Sequence, residues 1–297
     1  MSNFTFYKKR NFNAYINDTF SFFKIYAKNF FTNYLIINGA MMLAIGLICT
    51  FGLIYLGNFW NSSVSSVFSI FYFFIIILLL FLFFFLLMQC FPIAYLELAE
   101  KEPYRKEFSA KEIFNLIQQM LGRMFVFGLL SIFIIYIPFF IIYALVSLIP
   151  LLGFFGGMFL GVLITLFSTQ AALLFVKDKI GYFEALVKAK DQISERFWEK
   201  WGGTAVMNLI VSTFSMIIII IPVFLIVFAG ISGIDWDNIG FGVSALAFVM
   251  ILFLVIIIAI ASNFQTFLQI MIYLGEKEDK RIDEIDLIGQ NDDFKTL

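Results

Sequence analysis

Residues 70–88 read IFYFFIIILLLFLFFFLLM, nineteen residues with no charged side chain and nothing more polar than Tyr72. A stretch of this length and composition predicts a helix that crosses a lipid bilayer. The rest of the chain is similar, because 62% of its 297 residues are hydrophobic and 14% are charged. Soluble domains are about 45–50% apolar and about 25% charged. The sequence therefore predicts an all-α integral membrane protein.

Six apolar segments are long enough to span a bilayer, and we expect them to pair into three hairpins. The predicted spans are residues 35–57, 70–96, 124–147, 158–176, 204–229 and 243–275. A charged, amphipathic stretch precedes each hairpin, at residues 12–34, 97–123 and 177–203. We expect each stretch to form a helix in the cytoplasmic membrane interface.

Helical periodicity supports these three amphipathic helices. In each one the apolar residues recur at intervals of three or four, which places them on a single stripe. The stripes are Phe12, Ile16, Thr19, Phe23, Tyr26 and Phe30; Ile113, Leu116, Ile117, Met120 and Leu121; and Tyr182, Leu186, Ala189, Ile193 and Phe197. Ser109 and Glu112 have the spacing of a capping box, which predicts where the second helix begins.

The distribution of basic residues predicts the orientation of the chain. Five Lys and Arg residues precede the first span, five lie between spans two and three, six between spans four and five, and four follow the last span. These are all 20 basic residues of the chain. Since Lys and Arg stay on the cytoplasmic side, we expect both termini to be cytoplasmic.

The order of these segments suggests an internal repeat. Three units, residues 12–96, 109–176 and 180–275, each contain an amphipathic helix followed by a hairpin. We therefore expect one membrane domain, residues 1–275, with a pseudo-threefold arrangement or an old duplication behind it. Residues 276–297 carry many charges and are predicted to be a flexible cytoplasmic tail.

Three glutamines occupy matching positions in the second span of each unit. Gln89, Gln170 and Gln269 each precede the first cytoplasmic charge by seven or eight residues. Polar groups at membrane depth usually face the interior of a bundle. They predict either hydrogen bonds between helices or the lining of a pathway. No charged residue lies inside any predicted span, which argues against a proton- or ion-coupled transporter.

Two further sets of residues are candidates for packing and docking. Gly153, Gly157 and Gly161 form two consecutive Gly-x-x-x-Gly steps, which either allow close helix packing or serve a tight turn. Charged side chains along the third amphipathic helix form either a partner-docking surface or a solvated face. They are Glu184, Lys188, Asp191, Glu195, Arg196 and Glu199.

The third amphipathic stretch also carries a family resemblance. Residues 181–203 show an AL…FW…G pattern at Ala185-Leu186, Phe197-Trp198 and Gly202. This pattern resembles a family of six-helix membrane proteins related to the membrane domain of some glycerophosphodiester phosphodiesterases and to a group of uncharacterised bacterial inner-membrane proteins. The resemblance implies a six-helix fold over most of the chain and a location in the bacterial inner membrane. The catalytic domain of the phosphodiesterases has no counterpart here, so the resemblance implies no such activity.

The sequence contains no histidine, which removes the commonest general base and metal ligand. It also lacks a basic cluster with interleaved aromatics, so no nucleic-acid partner is expected. We expect a non-enzymatic inner-membrane subunit or scaffold, without a cofactor, that assembles with other proteins in the bilayer. The alternative is a transporter or flippase-like bundle for a lipid or hydrophobic solute, which needs a cavity between spans that opens to the bilayer.

Overall fold

The computed structural model describes the backbone of residues 4–59, 65–231 and 241–293, and the side chains of residues 4–50, 72, 74–216, 220, 224, 248–279 and 281. Within these residues every regular element is helical, as predicted. The helices are α1 Phe12–Phe59, α2 Ser65–Lys101, α3 Ala110–Ser131, α4 Ile137–Val146, α5 Pro150–Val176, α6 Tyr182–Ser194, α7 Phe197–Ile231 and α8 Phe241–Asp293, with a π-helical turn at Ile132–Tyr136.

Helix α1 joins the first amphipathic segment and the first predicted span in one element of 48 residues. The expected boundary near residue 34 is absent. The apolar stripe is buried against other helices, since the Phe23 ring lies 5.0 Å from that of Phe267 and the Phe30 ring lies 5.0 Å from that of Tyr95. Aromatic side chains of α2 and α8 thus cover this stripe. We expected this segment to be a helix lying in the membrane interface, and its apolar stripe instead packs against protein.

Helix α2 is longer than the bilayer requires. Its 37 residues correspond to about 55 Å at 1.5 Å per residue, whereas the hydrocarbon core is about 30 Å thick. Its last third, which includes Pro92, is buried by α1, α3 and α8. The surplus length therefore packs inside the protein at one end of the bundle.

Helix α3 begins as predicted. The Glu112 amide donates to Ser109 Oγ at 3.3 Å, and the Ser109 amide donates to Glu112 Oε2 at 2.8 Å. The predicted capping box is therefore confirmed. Further along, Pro138 has no N–H to donate to the carbonyl of Ile134. The chain forms a π-helical turn immediately before it.

Helix α6 is a separate amphipathic helix, as predicted for the third unit. Its buried residues include Tyr182, Ala189 and Ile193, three members of the predicted stripe. Residues with positive φ lie on both sides of it, Lys179 at 57° and Arg196 at 49°. The break at Arg196, which separates α6 from α7, is a feature that the periodicity does not predict.

Helix α8 continues well past the last predicted span. It runs to Asp293, so most of the predicted flexible tail is helical. The first residues of that tail pack against the protein, since the Glu276 side chain is only 1% exposed. The expectation of a flexible tail does not hold for this part of the chain.

Five helical segments are long and apolar enough to cross a membrane. They are Phe12–Thr50, Phe74–Lys101, Ala110–Val146, Pro150–Val176 and Phe248–Asp279. An all-helical chain with these segments is compatible with a multi-pass membrane protein. Helix α7 contains the remaining predicted span, and many of its side chains lie outside the described residues. The six-span count and the orientation stay predictions.

Candidate functional site

A cavity of about 390 Å³, called here the first cavity, lies between α2, α3 and α5. This volume is within the range of about 300–1,000 Å³ that is usual for small-molecule sites. Most of its walls are apolar side chains, with Thr266 of α8 closing one end. The polar residues that line it are Gln89, Ser131, Tyr136, Thr165, Ser168, Thr169 and Thr266.

Several hydroxyl groups in the first cavity are held by their own helices. Thr165, Ser168 and Thr266 donate to carbonyl oxygens about one turn earlier, at 2.9, 3.4 and 3.0 Å. Each hydroxyl oxygen keeps lone pairs that can accept a further hydrogen bond. The cavity therefore offers hydrogen-bond acceptors on a largely apolar surface.

Gln89, like Thr169 and Tyr136, is a polar side chain of the first cavity without a hydrogen-bond partner among the described residues. It is partly buried on α2. Its amide nitrogen and oxygen are not among the fully buried polar atoms without a partner, so they stay accessible from the cavity. A molecule in the cavity can therefore accept a hydrogen bond from Gln89 or donate one to it.

The first cavity reaches the outer surface of the bundle between α2 and α3. Two of its lining residues, Phe85 and Ile132, are 54% and 44% exposed on that surface. The surrounding surface is apolar, as expected of a region that faces lipid. A hydrophobic molecule therefore has a lateral route into the cavity.

The π-helical turn shapes one wall of the first cavity. Ile132 and Tyr136 lie within the turn, and Ser131 immediately precedes it. Ser131 Oγ is 3.2 Å from the hydroxyl of Tyr182, so the wall also contacts α6. Such turns inside α-helices occur frequently at functional sites.

Gln170 and Gln269 form a different polar feature. Gln170 Nε2 donates to the carbonyl oxygen of Gln269 at 2.8 Å, and Gln269 Nε2 donates to Thr204 Oγ1 at 2.9 Å. Gln89 is not part of this set. The predicted glutamine core thus divides into two glutamines that join helices and one that lines the first cavity.

A buried ion pair extends this feature toward one end of the bundle. Lys200 Nζ lies 2.6 Å from Glu276 Oε1, and the two side chains are 0% and 1% exposed. Burial lowers the pKa of Lys200, while the hydrogen bond that Lys200 donates to Glu276 acts in the opposite direction. We call Gln170, Gln269, Thr204, Lys200 and Glu276 the polar seam, since they join α5, α7 and α8.

The glycine positions explain how α4 and α5 pack in their hairpin. A Cβ added at Gly153 would lie 2.9 Å from the Cα of Ser147, and one at Gly157 would lie 2.8 Å from the Tyr143 ring. One at Gly161 would meet nothing within 4 Å. Gly153 and Gly157 therefore allow close approach within the hairpin and its turn.

The charged residues predicted for docking fall into two groups. Glu184, Lys188, Asp191 and Glu195 are exposed, and Lys188 Nζ lies 2.8 Å from Glu184 Oε1. Lys188 lowers the pKa of Glu184 through this contact. Arg196 and Glu199 are partly buried instead.

Arg196 points into the protein rather than toward a partner. Its Nη1 donates to the carbonyl oxygen of Arg10 at 2.9 Å, and its Nη2 contacts Asp279 and lies 3.5 Å from Glu276. Arg196 therefore links the N-terminal segment to α8.

No family model, curated protein or solved structure matches this chain. The resemblance to six-helix membrane domains therefore stays a prediction.

Sequence reasoning did not single out the hydroxyl residues of the first cavity. Thr165, Ser168 and Thr169 are three and four residues apart, so they share one face of α5. This spacing of hydroxyl residues inside an otherwise apolar segment is a sequence pattern from which they could have been identified.

Proposed function

We propose that this is a membrane protein with six spans and both termini in the cytoplasm, located in a bacterial inner membrane. Five apolar helices and the one-sided distribution of all 20 basic residues support this topology. A reporter fused to the C-terminus is expected to give a cytoplasmic signal. A periplasmic signal would contradict the orientation.

We further propose that the protein is not an enzyme and that it binds a lipid or another hydrophobic molecule in the first cavity. The observation that carries this proposal is the unpartnered amide of Gln89 in an apolar cavity open to the side of the bundle. An apolar pocket with a few polar groups provides both affinity and orientation for such a ligand. Release toward either leaflet would make the protein a carrier or flippase-like transporter.

A pair of glycines on α3 allows a matched test. Gly128 lines the first cavity and Gly122 does not, and a Cβ added at either one meets nothing within 4 Å. We expect Gly128→Phe to fill the cavity and Gly122→Phe to leave it open. The measurement is mass spectrometry of lipids and other hydrophobic molecules that co-purify with each variant in a mild detergent.

The expected result is a fall of about tenfold or more in bound molecules for Gly128→Phe, with Gly122→Phe at the wild-type level. Tenfold corresponds to about 1.4 kcal/mol of binding free energy. Equal amounts in all three proteins would contradict the proposal. Circular dichroism checks that both variants are folded.

A second candidate function is that of a membrane scaffold or complex subunit. The supporting observation is an exposed apolar pair on α6, Phe183 and Val187, which are 69% and 59% exposed. They lie one turn apart and beside the Glu184–Lys188 ion pair. An apolar patch with a charged border is typical of a protein-binding surface.

The scaffold function is tested by quantitative affinity purification in a mild detergent. A partner that binds α6 is expected to be lost with the double variant Phe183→Ser/Val187→Ser and retained with Phe114→Ser. Phe114 is also exposed but lies on α3. Identical sets of co-purifying proteins in both variants would argue against docking on α6.

A further inference from the structure

A second cavity, separate from the first, lies between α7 and α8. Its volume is about 310 Å³, and its walls are almost entirely apolar, with Met207 and Phe214 on α7 and Ile257 and Phe264 on α8. Phe20 of α1 closes one side, and its ring lies 5.8 Å from that of Phe264. Phe20 is itself 37% exposed, so it lies at the mouth of the cavity.

Two lysines follow Phe20 on the same face of α1. Lys24 and Lys28 are four and eight residues further along, and residues four apart are neighbours on a helix surface. Both side chains are exposed. Neither forms an ion pair or hydrogen bond with any residue that the structure describes.

The acidic residue that lies nearest to these lysines in the sequence already has partners. This residue, Asp18, is paired with Lys8 at 2.9 Å and with Arg10 at 2.8 Å. The lining of the second cavity contains no charged residue. Two exposed positive charges thus lie beside an apolar cavity whose lining residues carry no negative charge.

We propose that this second cavity binds one acyl chain of an anionic phospholipid, with the lipid phosphate held by Lys24 and Lys28. An acyl chain suits the apolar walls, and a net negative headgroup suits two free ammonium groups. In the proposed topology both lysines belong to the cytoplasmic stretch that precedes the first span, where anionic lipid headgroups attract basic side chains. This site differs from the first cavity, whose polar groups are uncharged.

The test uses the full-length protein in nanodiscs that contain phosphatidylcholine with or without phosphatidylglycerol. Native mass spectrometry measures how strongly the retained lipids are enriched in phosphatidylglycerol. We expect the lipids retained by the wild type to be enriched in phosphatidylglycerol. In Lys24→Gln/Lys28→Gln, each of the two replacements is expected to lower this enrichment about fivefold. High salt is expected to reduce the enrichment as well.

The matched control is Lys111→Gln/Lys190→Gln, which also removes two exposed cytoplasmic lysines. It is expected to keep the wild-type enrichment. A wild type without enrichment, or an equal fall in both double variants, would overturn the proposed site.

The role of the cavity is tested separately with Ala261, which lines it on α8. Ala261→Phe occupies the space of the acyl chain and is expected to reduce retention of phosphatidylglycerol, with Ala261→Val giving a smaller reduction if the larger change impairs folding. Unchanged retention in both folded variants would show that the lysines act only as surface charge and would overturn the proposal.

Discussion

The polar seam and the first cavity both contain glutamine and threonine side chains, but the hydrogen bonding of the glutamines differs between the two regions. In the polar seam, the amides of Gln170 and Gln269 bond across three helices, and Lys200 meets Glu276. In the first cavity, Gln89 has no partner among the described residues and faces open space. A polar group inside an apolar bundle stabilises the fold where another helix completes its bonds, and remains available to a ligand where none does.

The largest expected effect is at the ion pair of the polar seam. Glu276→Gln leaves the fully buried ammonium of Lys200 without its counter-charge. We expect the free energy of unfolding to fall by about 3–5 kcal/mol. Reversible unfolding in mixed detergent micelles measures this change.

An exposed ion pair of nearly the same length is the control. Lys101 Nζ lies 2.7 Å from Glu97 Oε1, but the lysine side chain is 60% exposed. Glu97→Gln is expected to cost at most about 1 kcal/mol. Equal costs for the two variants would remove the distinction between a buried polar seam and ordinary surface charge.

A smaller effect is expected at the glutamines of the polar seam. Gln269→Leu removes the side-chain oxygen Oε1, which accepts a hydrogen bond from Gln170 Nε2. It also removes Nε2 of Gln269, which donates to Thr204 Oγ1. We expect a loss of about 1–3 kcal/mol in the free energy of unfolding, because buried groups lose their partners. The double variant Gln170→Leu/Gln269→Leu is expected to cost less than the sum of the two single changes. Additive costs would indicate that the two amides do not interact.

The smallest effect on stability is expected at Gln89. Gln89→Leu removes an amide that makes no bond to a described residue, so the free energy of unfolding is expected to change by no more than about 0.5 kcal/mol. The same variant is expected to lower the amount of hydrophobic ligand that co-purifies. A destabilisation as large as that of Gln269→Leu would place Gln89 with the structural residues and contradict its proposed role.

Local sequence patterns predicted the helices well and their environment less well. The capping box at Ser109 and Glu112 and the buried stripe of α6 depend on residues a few positions apart, so periodicity and spacing were sufficient. The stripe of α1 was also recognised, but it packs on aromatic residues of α2 and α8 instead of lying at the membrane interface. An apolar face has the same pattern whether lipid or protein covers it.

The division among the three glutamines could not be predicted for a related reason. Gln89, Gln170 and Gln269 have equivalent positions in their hairpins, yet only two of them meet. The partners are 99 residues apart, and the pairing depends on how the helices are arranged. Lys200 and Glu276 likewise belong to segments that the sequence assigns to an amphipathic helix at the membrane interface and to a tail, and nothing local reveals that they are buried together.

The contact between Arg196 and the carbonyl oxygen of Arg10 joins residues 186 positions apart. Arg10 is fully buried, and its Cβ would lie 3.6 Å from a Cβ added at Gly275. Since a ribosome makes residues 4–11 before α7 and α8, the contacts of this segment with Arg196 and Gly275 form only after those two helices have been synthesised. Until then the segment has only contacts to earlier parts of the chain, such as the ion pair between Arg10 and Asp18.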